Sequence, residues 1–420
     1  MGLRPRGGRG GGPPAPTGPV VHRLPVARPR PGRIGPGEDV LLHTENLVFG
    51  TRGVPYHYGF DCGTALLDTV LDEVAGGPVL FVVDRAVLRR HAQPVIDRLR
   101  RKVPVHPFVV EAVEQQKRLS LVETLSEYAV ERGFDRGGTV VAMGGGLVAN
   151  IAGLAAALLY RGVRLIHLPT TPIAAFDAVL SLKQAVNLAA GKNLAGAYFQ
   201  PALIACDLTW LTTIPPREML TGVAEMAKNV LAVVPDERGR FVTAVAQLDT
   251  RPAAALQALW RIGFTAKKPL LARDPHERRE ALVFEYGHTV GHALEFMSGG
   301  VMGHGEAVAW GMLVAAEVST MLGYLDEAGT EAHYEVVGPL RLPAPTTALD
   351  WVDPAALRAR LATDNKRGYL AGGAGDVPMV LLQAPGTTVT GPGGLPLTLV
   401  PDKMILAALD RVRARDGWAA

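Results

Sequence analysis

The chain has little of several features that mark specialised classes of protein. Only two of its 420 residues are cysteines, Cys62 and Cys206, so a disulfide framework of the kind that holds small secreted domains together is excluded. Its longest apolar run, residues 151–160, is about half of the roughly 20 residues that a membrane span needs. We therefore expect a protein of the reducing cytoplasm without a transmembrane helix.

Net charge is also scarce. The formal charge of +3 is too small and too dispersed for a nucleic-acid footprint, although it is compatible with small anionic substrates. The apolar fraction of 48% is ordinary for a globular protein and can fill the cores of two or three domains.

Acidic residues are missing from the N-terminal segment, which has none before Glu38. Residues 1–38 form a tract of proline, glycine and arginine that cannot bury enough apolar surface to fold, so we expect a disordered extension. It has neither the apolar core of a secretory signal nor the serine enrichment of a transit peptide. We predict an α/β domain over 39–210 and a mainly helical domain over 211–420.

Alternating strand and helix patterns fill the first of these domains. Residues 79–83 and 139–143 are short β-branched runs, typical of buried parallel strands. The second run leads into Gly144, Gly145 and Gly146 and then a helical stretch from about 148 to 159. Such a turn suits a dinucleotide phosphate at a helix N-terminus, although a plain tight turn explains it equally. Asp84, after the first run, suits a ribose hydroxyl or a turn.

Two lysines and two amides follow a third strand at 163–168. Lys183, Asn187, Lys192 and Asn193 alternate with small and apolar residues in the segment SLKQAVNLAAGKN. This composition suits an anionic ligand rich in hydroxyls. A solvated hairpin with surface lysines fits the same segment.

The helical domain carries charges in apolar surroundings. Pro215 and Pro216 suit the first turn of a helix running to about residue 234, in which Glu225 and Lys228 share a face. The pair could be a surface ion pair. Because the surrounding residues are mostly apolar, we expect both charges to be half-buried and to need partners.

Three histidines follow in the segments FEYGHTVGH and GHGE. His288 and His292 would share a helical face, and a turn at Gly299 and Gly300 could bring His304 back to them. Glu225, His288 and His304 would then form a first shell for Zn²⁺ or a similar cation. A chance HxxxH spacing on a buried helix is the alternative.

Seven segments occur in the order GGGLVANIAG, LPTT, SLKQAVNLAAGKN, GVAEMAKN, FEYGHTVGHALE, GHGEAVAWGM and DNKRG. Together they resemble the sugar-phosphate cyclases related to 3-dehydroquinate synthase, over roughly residues 40–410, and among these most of all the 2-deoxy-scyllo-inosose synthases. The resemblance implies a Rossmann-like NAD-binding α/β domain, a mainly α-helical metal- and substrate-binding domain, an active site between them and a homodimer. NAD and one divalent ion, Zn or Co, are the implied cofactors.

The implied activity converts D-glucose 6-phosphate to 2-deoxy-scyllo-inosose and phosphate in the biosynthesis of 2-deoxystreptamine aminoglycosides. Such enzymes, carbon–oxygen lyases acting on phosphates, use transient NAD-dependent oxidation at C4. Phosphate elimination, re-reduction, ring opening and an intramolecular aldol closure complete the reaction.

The resemblance also assigns residues. It makes Glu225, His288 and His304 the metal ligands, in agreement with the chemical argument. Its catalytic residues are Lys183, Lys228, Glu285 and His292. Its substrate and phosphate contacts are Lys192, Asn193, Lys267, Lys366 and, across the dimer interface, Arg161. Its cofactor contacts are Asp84, Glu114, Lys117, Gly145, Gly146, Asn150, Thr170, Thr171 and Asp177. By spacing alone Lys366 would be a surface lysine on a loop edge, between a helical stretch and a strand expected near 377–382.

Departures from the dehydroquinate pattern indicate the substrate. Ala281 replaces an arginine that holds the substrate carboxylate, and Glu285 replaces an asparagine. An ionised Glu285 would repel a carboxylate but accept a hydrogen bond from a sugar hydroxyl. Three rival functions are 3-dehydroquinate synthase, a metal-dependent polyol dehydrogenase, and a catalytically silent binding or scaffold protein.

Overall fold

The structure, a computed structural model, describes residues 42–74, 76–189 and 191–415. The predicted disordered extension over 1–38 lies outside these residues. The strands are β1 His43–Phe49, β2 Arg52–Gly59, β3 Val79–Asp84, β4 Val105–Val110, β5 Thr139–Gly144, β6 Arg164–Pro169, β7 Lys183–Leu188, β8 Gly191–Tyr198, β9 Leu203–Asp207, β10 Asp376–Met379, β11 Leu382–Ala384, β12 Thr387–Thr388 and β13 Thr398–Pro401.

The helices carry the rest of the architecture. They are α1 Gly63–Val74, α2 Arg85–Val87, α3 Gln93–Arg100, α4 Leu119–Glu131, α5 Gly146–Leu158, α6 Pro172–Phe176, α7 Pro216–Ala232, α8 Arg238–Gln247, α9 Pro252–Arg273, α10 His288–Met297, α11 His304–Met321, α12 Glu327–Val337, α13 Pro345–Ala348, α14 Pro354–Leu361 and α15 Asp402–Arg413. Among the described residues, no helix is both long and apolar enough to cross a membrane.

One large sheet organises the first half of the chain. In the described residues its strand order is β1-β2-β9-β6-β5-β3-β4, with β1 and β2 antiparallel and the other neighbours parallel. Strand β5 is buried along its whole length and β3 along all but its last residue, which explains their continuous β-branched sequences. The predicted α/β class with a Rossmann-like sheet is confirmed.

Helix α11 lies at the centre of the second half. Most of its residues are apolar and it is buried on all sides over 307–319, and α7, α10 and α15 pack against it. Gly311 allows the closest approach, because a Cβ there would lie 1.9 Å from the carbonyl oxygen of Gly287. The expected mainly helical second half is therefore present, and the division into 39–210 and 211–420 stays a prediction.

Two predicted boundaries differ from the structure. Helix α5 begins at Gly146, before the expected 148, because Gly145 serves as its N-cap in an extended conformation. The strand expected near 377–382 ends at Met379, and Leu382 begins β11 in a separate two-stranded ribbon. Burial of the whole apolar run, rather than one continuous strand, explains its composition.

Candidate cation and cofactor site

The glycine turn joins β5 to α5 at the carboxyl edge of the sheet. The first turn of α5 has no side-chain cap among the described residues, so its N–H groups are open to an anion. A Cβ at Gly145 would lie 3.3 Å from Cγ2 of Thr171, and the N–H of Thr170 donates to the carbonyl of Gly144 at 2.9 Å. A side chain at Gly145 would therefore crowd Thr171, and glycine keeps the backbone of the turn accessible, as the close approach of a dinucleotide phosphate requires.

Asp84 ends β3, which runs parallel to β5 and reaches the same edge. Its carboxylate accepts from the N–H of Ala86 at 2.9 Å, so the turn role considered for it is present. Asn150 donates from Nδ2 to the carbonyl of Gly146 and accepts at Oδ1 from the N–H of Ala185, both at 2.8 Å. It thereby ties α5 to the next hairpin.

The segment SLKQAVNLAAGKN forms the hairpin of β7 and β8. Buried Lys117 donates to Oδ1 of Asn193 at 2.6 Å, and Asn187 donates to Oε1 of Glu114 at 2.7 Å. Asn193 has a positive φ of 55° and donates its N–H to Oδ1 of Asn187. The segment therefore forms a hairpin, as the second of the two interpretations predicted. Its polar groups form an ordered hydrogen-bond network with Glu114 and Lys117.

Glu225, His288 and His304 converge from three helices. Oε1 of Glu225 lies 3.4 Å from Nε2 of His288 and 3.2 Å from Nε2 of His304. Gly305 lets α11 approach α7, since a Cβ there would lie 2.5 Å from Cα of Thr221. The carboxylate is 1% exposed, and the charges that compensate its burial come from the site itself.

The spacing of these atoms suits one cation. One ligand atom from each residue lies within 4.8 Å of the others. Tetrahedral ligands at about 2.1 Å from a zinc ion are separated by about 3.4 Å, close to the 3.4 and 3.2 Å that separate Oε1 of Glu225 from the two histidine nitrogens. A carboxylate with two imidazoles suits Zn²⁺ or Co²⁺, so the residues fit such a group.

Both histidines are held at Nδ1, with Nε2 turned toward Glu225. Nδ1 of His288 donates to the carbonyl of Tyr286 at 3.1 Å, and Nδ1 of His304 lies 3.0 Å from Oε2 of Glu295. Burial alone would lower the pKa of His304, but the hydrogen bonds to Glu225 and Glu295 raise it to about 10. The site therefore favours a positive charge at His304, and a metal ion bound at Nε2 would displace the proton from that nitrogen.

His292 lies beside this triad, with its ring centroid 5.1 Å from that of His288 and 5.9 Å from that of His304. Burial and then the neighbouring His288 lower its pKa to about 3. His292 is therefore neutral near pH 7 and can accept a proton, although its basicity is weak.

Five of the predicted lysines are each paired with a carboxylate in the same region. The Nζ–O distances are 2.5 Å for Lys228–Glu225, 2.9 Å for Lys267–Asp177, 2.7 Å for Lys183–Glu277, 2.8 Å for Lys192–Glu295 and 2.9 Å for Lys366–Asp364. The expectation that Glu225 and Lys228 are half-buried is wrong in degree, because they are 1% and 2% exposed. Their position between packed helices explains the deeper burial.

The burial of Lys366 contradicts a second expectation from the sequence. Spacing alone made it a surface lysine, yet it is 1% exposed. Its Nζ lies 3.6 Å from Oε2 of Glu285, an oxygen that has no hydrogen-bond partner among the described residues. Burial alone would raise the pKa of Glu285, but Lys366, then His288 and Lys183, lower it well below the ordinary value. Glu285 is thus an ionised acceptor, one oxygen of which makes an ion pair with Lys366 but no hydrogen bond among the described residues.

Ala281 is fully buried and offers no group to a substrate carboxylate. Arg161 is the predicted residue that stands apart. It is exposed at the end of α5 away from the glycine turn, about 20 Å along a helix of 13 residues. One copy of the chain does not bring it to the site.

Three carboxylates that pair with the site lysines were missed by the sequence reasoning: Glu277, Glu295 and Asp364, the partner of Lys366. Glu277 holds Lys183 from a loop in which it has a positive φ of 51°, and no periodicity marks that position. Glu295 lies seven residues after His288 and three after His292 on α10, so helical spacing could have identified it.

The chain is similar to known proteins over most of its length. The family described as 3-dehydroquinate synthase N-terminal matches residues 107–221, and 3-dehydroquinate synthase C-terminal matches residues 222–367. A 2-deoxy-scyllo-inosose synthase from Streptomyces fradiae is 41% identical over 378 residues, which cover 90% of this chain and 87% of that protein.

Two solved structures have a similar fold. A 2-deoxy-scyllo-inosose synthase complexed with carbaglucose-6-phosphate, NAD⁺ and Co²⁺ is similar with a TM-score of 0.78 and 32% identity, covering 88% of this chain and 99% of the other. A 2-epi-5-epi-valiolone synthase from Streptomyces hygroscopicus subsp. jinggangensis, with NAD⁺ and Zn²⁺ bound, has a TM-score of 0.73 and 25% identity, covering 91% of this chain and 100% of the other.

Proposed function

This chain belongs to the 3-dehydroquinate synthase family, and we propose that it converts D-glucose 6-phosphate to 2-deoxy-scyllo-inosose and phosphate. The observation that carries the choice of substrate is Glu285, whose ionised carboxylate has an oxygen beside Lys366 without a hydrogen-bond partner among the described residues, while buried Ala281 offers no carboxylate clamp. An anion at this point favours a neutral sugar hydroxyl over a substrate carboxylate. A carboxylated heptulosonate phosphate is therefore disfavoured.

The cofactors implied by the family fit the described residues. Glu225, His288 and His304 would hold one divalent cation, and the glycine turn with Thr170, Thr171 and Asp177 would hold NAD. When bound, these groups supply a hydride acceptor and polarisation of a substrate oxygen. The solved relative that carries carbaglucose-6-phosphate, NAD⁺ and Co²⁺ supports this assignment.

Lysine side chains bind the anionic end of the substrate. Lys183, Lys192 and Lys366 would receive the phosphate, and each must then share or exchange its present carboxylate partner. Glu285 would accept a hydrogen bond from a hydroxyl. His292 would take a proton on a ring nitrogen, because its lowered pKa keeps it neutral.

The remaining assignments follow the family. The reaction releases phosphate from carbon, so we assign it to the carbon–oxygen lyases acting on phosphates, in 2-deoxystreptamine aminoglycoside biosynthesis. We assign a homodimer in which Arg161 reaches the substrate phosphate of its partner, which suits its exposed position far from the glycine turn of its own chain. We place the enzyme in the cytoplasm.

Phosphate release from two substrates tests the proposal. Purified protein with NAD⁺ and Co²⁺ should release phosphate from glucose 6-phosphate and very little from the carboxylated heptulosonate phosphate. His288→Ala should lose the activity together with Co²⁺ binding. Release from the heptulosonate alone would assign the chain to dehydroquinate synthesis, and release from neither in protein that binds Co²⁺ would contradict catalysis.

A further inference from the structure

Glu295 lies between the cation triad and the hairpin of β7 and β8. Its Oε2 lies 3.0 Å from Nδ1 of His304, and its Oε1 lies 2.8 Å from Nζ of Lys192. Its side chain is 17% exposed. Each oxygen therefore serves a different group of the site.

The contact with His304 determines which ring nitrogen faces the cation position. A carboxylate that accepts from Nδ1 fixes a proton there, so that Nε2, which points to Glu225, is the ring nitrogen left to bind a cation. The same contact limits rotation of the ring. In protein metal sites, loss of such a partner typically costs 10- to 100-fold in metal affinity.

The contact with Lys192 reaches the other half of the chain. Lys192 belongs to β8, and its Nζ also lies 3.8 Å from Oε1 of Glu114. The neighbouring residue Asn193 is bonded to buried Lys117. The Lys192 side chain is 42% exposed, so these two carboxylates limit the orientations of a flexible, partly solvated lysine.

We propose that Glu295 is a positioning residue that orients His304 toward the cation and Lys192 toward the substrate phosphate. One side chain of α10 thereby joins the cation site to the phosphate-binding hairpin. This inference rests on the proposed function, because it takes the cation triad and the phosphate role of Lys192 from it.

Cation affinity tests the first half. Metal-free protein is titrated with Co²⁺ alone, and the visible absorption of bound Co²⁺ gives both the Kd and the coordination geometry. We expect Glu295→Gln to raise the Kd 10- to 100-fold and to alter the spectrum. Glu295→Asp keeps the charge but withdraws it by one methylene, so positioning predicts a weakened site whereas charge alone predicts wild-type affinity.

Substrate KM tests the second half. Lys192→Met should raise the KM for glucose 6-phosphate about tenfold or more while the Co²⁺ Kd stays within about threefold of wild type. With saturating Co²⁺, Glu295→Gln should raise the KM in the wild-type background but add little in Lys192→Met, because the two residues act through one contact. Glu45→Gln, which removes an exposed partner of Lys268, is the matched control and should change neither value.

These measurements distinguish a failure of the proposed function from a failure of the role assigned to Glu295. Absence of Co²⁺ binding in wild type would contradict the cation site of the proposed function. Normal binding in wild type with unchanged Kd and spectrum in folded Glu295→Gln would overturn the inference. Full additivity of the two KM effects would also overturn it, and circular dichroism establishes that each variant is folded.

Discussion

Replacement of Lys228 by methionine should make the fold depend on the bound cation. Lys228 lies 2.5 Å from Oε2 of Glu225, and the two side chains are 3% and 1% exposed. Without the lysine, the buried carboxylate keeps only His288 and His304 as positively polarised neighbours. A cation bound to Glu225 would replace the missing charge.

The magnitude follows from the burial. Removing one partner of a buried ion pair costs about 3–5 kcal/mol. Because His288 and His304 still compensate the carboxylate of Glu225, we expect about 3 kcal/mol here. Unfolding entropies near 2.1 cal/mol/K per residue give about 0.8 kcal/mol per degree for the described part of the chain, so the melting temperature of metal-free protein should fall by about 4 °C. Saturating Co²⁺ should restore most of this loss.

Thermal unfolding by circular dichroism with and without Co²⁺ measures both values. Lys268→Met is the matched control, because Lys268 makes an exposed pair with Glu45 at 3.4 Å and its removal should change stability by less than about 0.5 kcal/mol. If Co²⁺ raises the melting temperature of Lys228→Met and wild type equally, the lysine and the cation do not share Glu225, and the reasoning is refuted.

Three further perturbations test other parts of the structure. Glu285→Gln should lower kcat/KM for glucose 6-phosphate about 10- to 100-fold, since a hydrogen bond to a charged acceptor contributes about 1.5–3 kcal/mol. A smaller loss in steady-state assays would contradict the contact between Glu285 and the substrate. Burial lowers the pKa of His167 to about 4, so the unfolded chain protonates first as pH falls below about 6.5, and stability is lost between these values. In urea unfolding, the free energy of unfolding should fall between pH 7.5 and pH 5 by about 2 kcal/mol less in His167→Leu than in wild type. An equal fall in both proteins would count against the lowered pKa. Gly311→Ala would place a Cβ 1.9 Å from the carbonyl oxygen of Gly287 and should lower the free energy of unfolding, measured in thermal melts, by about 3 kcal/mol or more. Gly338→Ala, at a position with open space around it, is the control. Equal melting temperatures of the two variants would contradict the close approach of the helices.

Local sequence patterns predicted the parts of the site that depend on local geometry. His288 and His292 lie on one helix, α10, as their spacing indicated, and the chain turns at Gly299 and Gly300 so that His304 returns to His288. The strand, glycine turn and helix around Gly145 followed from a buried β-branched run and from the backbone freedom of glycine. These features are encoded within about ten residues of chain.

Contacts between distant segments were not predictable in the same way. Lys366 is buried because its loop returns to Glu285, about 80 positions earlier, and no local pattern records that contact. Glu277 reaches Lys183 from a non-repetitive loop with a left-handed backbone. In both cases tertiary packing decides burial, so composition and periodicity gave no signal.

The most direct test of the account follows phosphate and NADH together in one reaction with glucose 6-phosphate, NAD⁺ and Co²⁺. A cyclase that returns its hydride in every turnover should release phosphate over many turnovers while NADH absorbance stays below the enzyme concentration. NADH that accumulates in step with substrate consumption, without phosphate release, would contradict the account and indicate a dehydrogenase.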